Sequence, residues 1–263
     1  MSLTWLDLAH LLQGSEEWLS YKKRADFVTS TVAVELLGLG YSSARAAVDR
    51  RLHGILEKPE PSQWAMENIL NPGHVHEATA KKWLCAKLNE EGVDFQLHDG
   101  VTLVHPQCAF LGATSDGYLE LLKDGQLINL EVKAQGMHTN TVWDFETQVR
   151  PYYLLQCQLQ MACLGGLAPY TLLIVWKGHP KDRQRVKWDI PRENHTRLFR
   201  VYFNEDLARY FCHEMGRVLR CIQEQRHPYP DEVMAMVARR HKARIKNEVV
   251  VQEVSSDFLV SFL

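Results

Sequence analysis

The chain has 263 residues, 46% of them hydrophobic and 24% charged, with a net charge of −2. That mixture belongs to a globular protein with ample core material, and no stretch approaches the ~20 apolar residues of a membrane span. The opening residues, MSLTWLDLAHLLQGSEEW, lack the basic stretch and apolar run of a secretory signal. An intracellular protein of the cytoplasm or nucleus, with no membrane partner, is expected. Six scattered cysteines without C-x-x-C spacing argue against a disulfide framework or a structural zinc and for plain reduced thiols. With so little net charge, any surface that holds phosphates must be local. The candidates are Lys22-Lys23-Arg24, Arg50-Arg51 and the run Arg239 to Arg244.

Residues 15–55 read as helical, with Ser15 capping a helix to Lys23 and a second helix opening near Thr29-Ser30-Thr31. A proline-marked loop, ILEKPEPS, follows. A helix is expected over 62–70. It restarts at Asn71-Pro72, where proline suits the first helical position, and runs to Glu91 before Gly92. From 101 to 133 the period changes. VTLV, CAFLGA, GYLELL and LINLEVKA are short apolar runs separated by turn signals, the pattern of strands. Lys123-Asp124-Gly125-Gln126 marks a hairpin by its Asp-Gly pair. A helix over 151–164 ends at Gly165-Gly166, YTLLIVWK at 170–177 and VYF at 201–203 read as strands, and 205–226 is a long amphipathic helix. This order predicts a mixed sheet with helices on both faces.

With Asp124 and Gly125 as the two loop residues, Asp116 is expected opposite Lys133, and Tyr118 opposite Glu131. Strand alternation then puts Asp116, Glu131 and Lys133 on one face, within the ~7–8 Å of diagonal neighbours. Two carboxylates this close repel unless a cation intervenes. Mg²⁺ answers that need, because it takes one or two carboxylates, waters and a substrate phosphate. The Val132 carbonyl offers a further oxygen, and Lys133 is placed to stabilise charge developing on a phosphate. The bland alternative is a Lys–carboxylate pair at a half-exposed edge. Glu77 shares a helix face with Lys81, Leu84 and Leu88, which lays it against the sheet. In the 151–164 helix Gln158 falls inside the apolar arc, whereas Gln156 and Gln160 project from the polar side. A buried amide needs partners, either a metal-bound water or phosphate, or the core itself.

Gly73 and Glu77, then Ser115-Asp116-Gly117, Glu131-Val132-Lys133, and Gln156-Cys157-Gln158 followed by Met161, resemble the ordered motifs of the PD-(D/E)XK nucleases. The likeness is to the lambda-exonuclease-like branch, which holds viral recombinases and alkaline exonucleases. Trp18, Arg24 and Thr29-Ser30-Thr31 resemble that branch's segment for the 5′-terminal phosphate of DNA. The resemblance covers about residues 16–177. It implies that Asp116 and Glu131 bind metal with help from Glu77, beside the oxygen that the Val132 carbonyl offers. It further implies that Lys133 positions or activates water, that Gln158 orients Lys133 or the water, and that Arg24 and the Thr29-Ser30-Thr31 segment contact phosphate, through Thr31 or Ser30. The family's proline before the aspartate is Ser115 here, and its T-A-S triplet reads T-S-T.

The expectation is a three-layer α/β/α fold with a restriction-endonuclease-like core and helical additions at both ends. It forms one nuclease domain: a DNA-end-binding segment at 1–60, a catalytic core at 61–204 and a helical extension at 205–263. The function that follows is Mg²⁺-dependent hydrolysis of DNA, with Mn²⁺ as substitute, as a 5′→3′ exonuclease on linear duplex carrying a 5′-phosphate. Such enzymes serve recombination, repair or viral genome processing. An endonuclease of the same fold acting on DNA and RNA, and a non-catalytic nucleic-acid-binding module, are the alternatives. A single-strand annealing protein as partner and assembly into a homo-oligomer are left open.

Overall fold

The computed structural model describes residues 10–11, 15–24, 26–40, 43–56, 62–63, 66, 71–135, 149–177 and 196–254. In chain order these hold β1 (His10–Leu11), α1 (Glu16–Lys22), β2 (Val28–Thr29), α2 (Ser30–Leu36), α3 (Ala44–Leu52) and α4 (Asn71–Glu90). There follow β3 (Phe95–Asp99), β4 (Thr102–Val104), β5 (Leu111–Thr114), β6 (Gly117–Leu121), β7 (Gln126–Gln135) and α5 (Pro151–Cys163). The chain closes with β8 (Tyr170–Lys177), β9 (Thr196–Tyr202), α6 (Glu205–Gln223), α7 (Asp231–Glu248) and β10 (Val251–Val254). The helix expected over 62–70 lies almost wholly outside the described residues. No helix among them is long and apolar enough to cross a membrane.

Six strands form the main sheet in the order β10-β9-β8-β7-β6-β3, parallel only between β7 and β8. A smaller sheet runs β1-β4-β5-β2. Along β7 and β8 alternate residues serve opposite layers. Ile128, Leu130, Val132, Leu172 and Ile174 pack with Ala80, Trp83, Leu84 and Leu88 of α4. Leu127, Leu173 and Val175 belong instead to the larger core that includes α2, α5 and α6. Helices therefore cover both faces of a mixed sheet, the α/β/α arrangement that the order of elements implies.

The β6–β7 hairpin corrects the expected register. Its loop has four residues, Leu122 to Gly125, and the pairs are Leu121 with Gln126, Tyr118 with Asn129 and Gly117 with Leu130. The Gly125 N–H closes the turn on the Leu121 carbonyl at 2.8 Å, and Gly125 takes φ +70°, which glycine adopts without penalty. Relative to a two-residue loop the partners slide by two. An even slide leaves every side chain on its original face, so the convergence of Asp116, Glu131 and Lys133 survives. One step beyond the ladder, Asp116 now stands opposite Glu131 rather than Lys133.

Residues 15–55 are not helical throughout. Ser15 caps α1 by accepting from Trp18 N at 3.1 Å, but Val28-Thr29 then runs parallel to Leu111-Gly112. The 205–263 extension likewise carries a strand, β10, whose Val251 pairs with Val201 of β9. Helix α7 has no strong apolar stripe. It docks through His241 and Ile245, both buried, and the Val249 that follows it.

Candidate active site

The chain passes from the small sheet to the large one through Ser115 and Asp116, between β5 and β6. Ser115 is buried, with its hydroxyl 2.5 Å from Asn129 Oδ1 and 2.7 Å from the Leu130 carbonyl. These contacts anchor the position where the resembled family carries proline. Gly100 runs so close above that a Cβ there would sit 1.8 Å from the Ser115 carbonyl oxygen. Asp116 is tied to β7 at both ends. Its N–H donates to Leu130 O at 3.2 Å, and its Oδ2 accepts from Val132 N at 2.6 Å. A strand residue's N–H and C=O point the same way, so the Val132 carbonyl also faces the gap beside Asp116.

Glu131 and Lys133 share a β7 face with Asn129, turned towards α5. The Glu131 carboxylate is 1% exposed. One of its oxygens takes the Lys133 ammonium and the other accepts from Gln160 Nε2 at 2.5 Å. Gln160 Nε2 also donates to Thr114 O at 2.8 Å, while its Oε1 accepts from Asn129 Nδ2 at 3.0 Å. Asn129 donates in turn to Thr171 Oγ1 at 2.9 Å. With these groups partnered, the network fixes one carboxylate orientation. Lys133 Nζ lies 5.3 Å from the Tyr153 ring centroid, a cation–π contact. From the opposite layer α4 brings Glu77, which pairs with Lys81 at 2.8 Å.

Electrostatics mark this cluster as a place for a cation. Asp116 is pushed up to about 8, chiefly by burial, then by Glu131, with Glu77 adding and Lys133 and the Val132 N–H opposing. Burial disfavours the Lys133 ammonium, yet Glu131 and Asp116 outweigh it and raise its pKa. Lys133 is thus a held cation rather than a base. Two convergent carboxylates, a third within range and a carbonyl form an all-oxygen donor set, which fits a hard divalent ion.

The structure therefore brings together Glu77, Asp116, Glu131, Val132 and Lys133. Gln158 is elsewhere: its Nε2 donates to Tyr202 O at 2.7 Å and its Oε1 accepts from Asn204 N at 2.8 Å, a strut beneath the β9–α6 junction. Gln160 is the amide at the carboxylates, only 2% exposed. The expected polar face fails because α5 is buried nearly all round, so an amphipathic arc has no meaning there. The signal was Tyr153 and Gln160, seven residues and two turns apart on one stripe.

Near the N-terminus, Arg24 grips Asp26 with two bonds of 2.9 Å and stacks 4.9 Å from the Tyr21 ring centroid. The Thr29 hydroxyl caps α2, Ser30 is buried, and Thr31 is exposed at the helix start. Arg51, one of the basic candidates, is buried and donates to Phe27 O at 3.0 Å.

Comparison with solved structures gives LHK-Exo in complex with dAMP at 20% identity and TM-score 0.56, over 86% of this chain and 97% of that one. A second LHK-Exo structure, described as an alkaline exonuclease from Laribacter hongkongensis, matches at 18% identity and TM-score 0.47, over 89% and 95%. A comparison with curated proteins finds no significant match. The model of the YqaJ-like viral recombinase domain matches residues 17–167, which span β2 to α5 and every group of the carboxylate cluster. By that match, the chain belongs to the YqaJ-like viral recombinase domain family.

Proposed function

We propose that this chain is a nuclease that hydrolyses phosphodiester bonds of DNA, acting as a 5′→3′ exonuclease on linear duplex. The observation that carries the proposal is the meeting of Asp116, Glu131 and Lys133 across the β6–β7 hairpin. A module that only bound nucleic acid would present cations to phosphate, not two buried carboxylates. LHK-Exo, whose fold this chain shares, is described with a bound deoxynucleotide, dAMP, which suits DNA as the polymer here.

The cofactor we assign is Mg²⁺, held by Asp116, Glu131 and the Val132 carbonyl, with Glu77 in reach of its waters. When bound, such an ion neutralises phosphate charge and supplies an activated water. The protein's own groups do the rest. The Val132 N–H and the Ser115 contacts fix Asp116, and Gln160 fixes Glu131. Lys133 keeps its proton and donates to a substrate oxygen or the attacking water, stabilising charge as it develops. Arg24 and Thr31 are the assigned contacts for the 5′-terminal phosphate.

Digestion of a linear duplex labelled separately at each end, with Mg²⁺ and with EDTA, tests the proposal. Release of mononucleotides from 5′ ends, Mg²⁺-dependent and absent on closed circles, is expected. Equal cutting of circles would instead mean an endonuclease, and unchanged turnover in EDTA would remove the metal.

A further inference from the structure

Away from the carboxylates, the connection between β4 and β5 lies against α6 beside a cleft of about 890 Å³ lined by Phe110, Phe203 and Arg209 among others. On its wall His105, Cys108 and Cys212 converge, with their ligand atoms all within 4.8 Å of one another. None of the three belongs to the motifs that carry the nuclease resemblance.

We propose that His105, Cys108 and Cys212 form a second metal site, suited to Zn²⁺, that staples the β4–β5 connection to α6. Bond lengths of ~2.3 Å to sulfur and ~2.0–2.1 Å to nitrogen put tetrahedral ligands roughly 3.5–3.8 Å apart. The three atoms need close by only about 1 Å, within reach of side-chain rotation. The backbone already shapes the loop side. Cys108 N donates to His105 O at 3.3 Å, and Leu111 N to Cys108 O at 2.8 Å. The two thiols lie within 4.8 Å of each other. The same cleft is lined by His213 as well.

The donor set separates this site from the first. Two sulfurs and an imidazole select a borderline-soft ion, whereas the all-oxygen carboxylate site selects a hard one. On capture, each cysteine exchanges its thiol proton for a bond to the ion, and two protons go to solvent for each divalent cation. His105 Nδ1 already accepts the N–H groups of Gln107 and Cys108, at 3.1 Å each. Either ring nitrogen therefore meets an ion only by giving up those contacts, because moving the proton from Nε2 to Nδ1 also displaces both N–H donors. The thiolates supply most of the affinity and His105 adds to it. The inference is independent of the nuclease reading.

The test titrates Co²⁺ into the reduced full-length chain with Mg²⁺ in excess. A sulfur-to-cobalt charge-transfer band saturating at one ion per chain, and lost on adding Zn²⁺, is expected. Cys108→Ser and Cys212→Ser should each weaken Co²⁺ binding by roughly a hundredfold or more, a typical share per ligand. His105→Ala should weaken it less, while Cys85→Ser and Asp116→Asn should leave it unchanged. Because Cys212 is buried, the half-buried Cys108→Ser variant decides if Cys212→Ser does not fold. No band in the wild type, a band that survives the double cysteine variant, or loss of two free thiols without metal uptake would each overturn the proposal.

Discussion

Gln160 donates to the buried Glu131 carboxylate at 2.5 Å from a helix on the neighbouring layer, with its own amide oxygen held by Asn129. This relationship makes Gln160 a positioning residue in the proposed nuclease. Gln160→Leu should lower kcat about 10–100-fold, the usual effect of losing an outer partner of a metal ligand. KM for DNA should barely move, and a higher Mg²⁺ concentration should restore part of the rate. Gln158→Leu should instead lower thermal stability through Tyr202 and Asn204. Equal kinetic losses from both would contradict this division.

Asp116 gives a prediction in stability as well as activity. Asp116→Asn should reduce cleavage by more than about a thousandfold, since the proposed ion would lose a charged ligand, while duplex binding persists. In EDTA the same variant should melt higher than wild type. In the folded chain Asp116 keeps its proton up to about 8, against an ordinary aspartate value of 3.8. Between those values the folded state binds more protons than the unfolded one, so the wild type loses stability as pH rises. The variant's advantage should widen from pH 5 to pH 9, read by calorimetry at matched ionic strength. A constant difference would show that Asp116 is not held protonated.

Lys133 is a cation beside two carboxylates, so its contribution is expected in the transition state. Lys133→Ala should lower kcat about 10²–10³-fold with a small change in KM. Lys133→Arg should recover little, because a planar guanidinium does not fit where a compact ammonium bonds Glu131. A variant with wild-type kcat and weakened binding would make Lys133 a simple phosphate contact.

Arg24 can serve a 5′-phosphate only by exchanging Asp26 for it. Wild type should digest 5′-phosphorylated duplex faster than 5′-hydroxyl duplex, and Arg24→Ala should erase most of that preference. Asp26→Asn should enlarge it, since the competing carboxylate is gone. If the Asp26 variant left the preference unchanged, the Arg24–Asp26 pair would be an ordinary surface ion pair.

Elements with strong local signals were legible from sequence: the Ser15 cap, the 170–177 strand, the Gly165-Gly166 stop. So was the meeting of Asp116, Glu131 and Lys133, because parity in a hairpin outlasts an even error in register. What escaped was set by tertiary pairing. β2 is two residues long and exists only beside β5, and β10 is an edge strand defined by β9. Gln160 was misplaced because its helix is enclosed, and periodicity reports a polar face only where water provides one. The cysteines are far apart in sequence and meet only when α6 lies against the β4–β5 connection, so spacing gave no hint of them.

The passage of Ser115 beneath Gly100 has a consequence for how the molecule becomes competent. Glu131 and Lys133 belong to the large sheet, and Asp116 meets them at the seam between the sheets, one residue past Ser115 and bonded to β7. A chain whose seam has not closed leaves Asp116 without its place beside Glu131, and the proposed metal site incomplete. In the proposed nuclease, cleavage then depends on that seam, and a methyl group at residue 100 should wedge it apart and lower activity without touching a carboxylate.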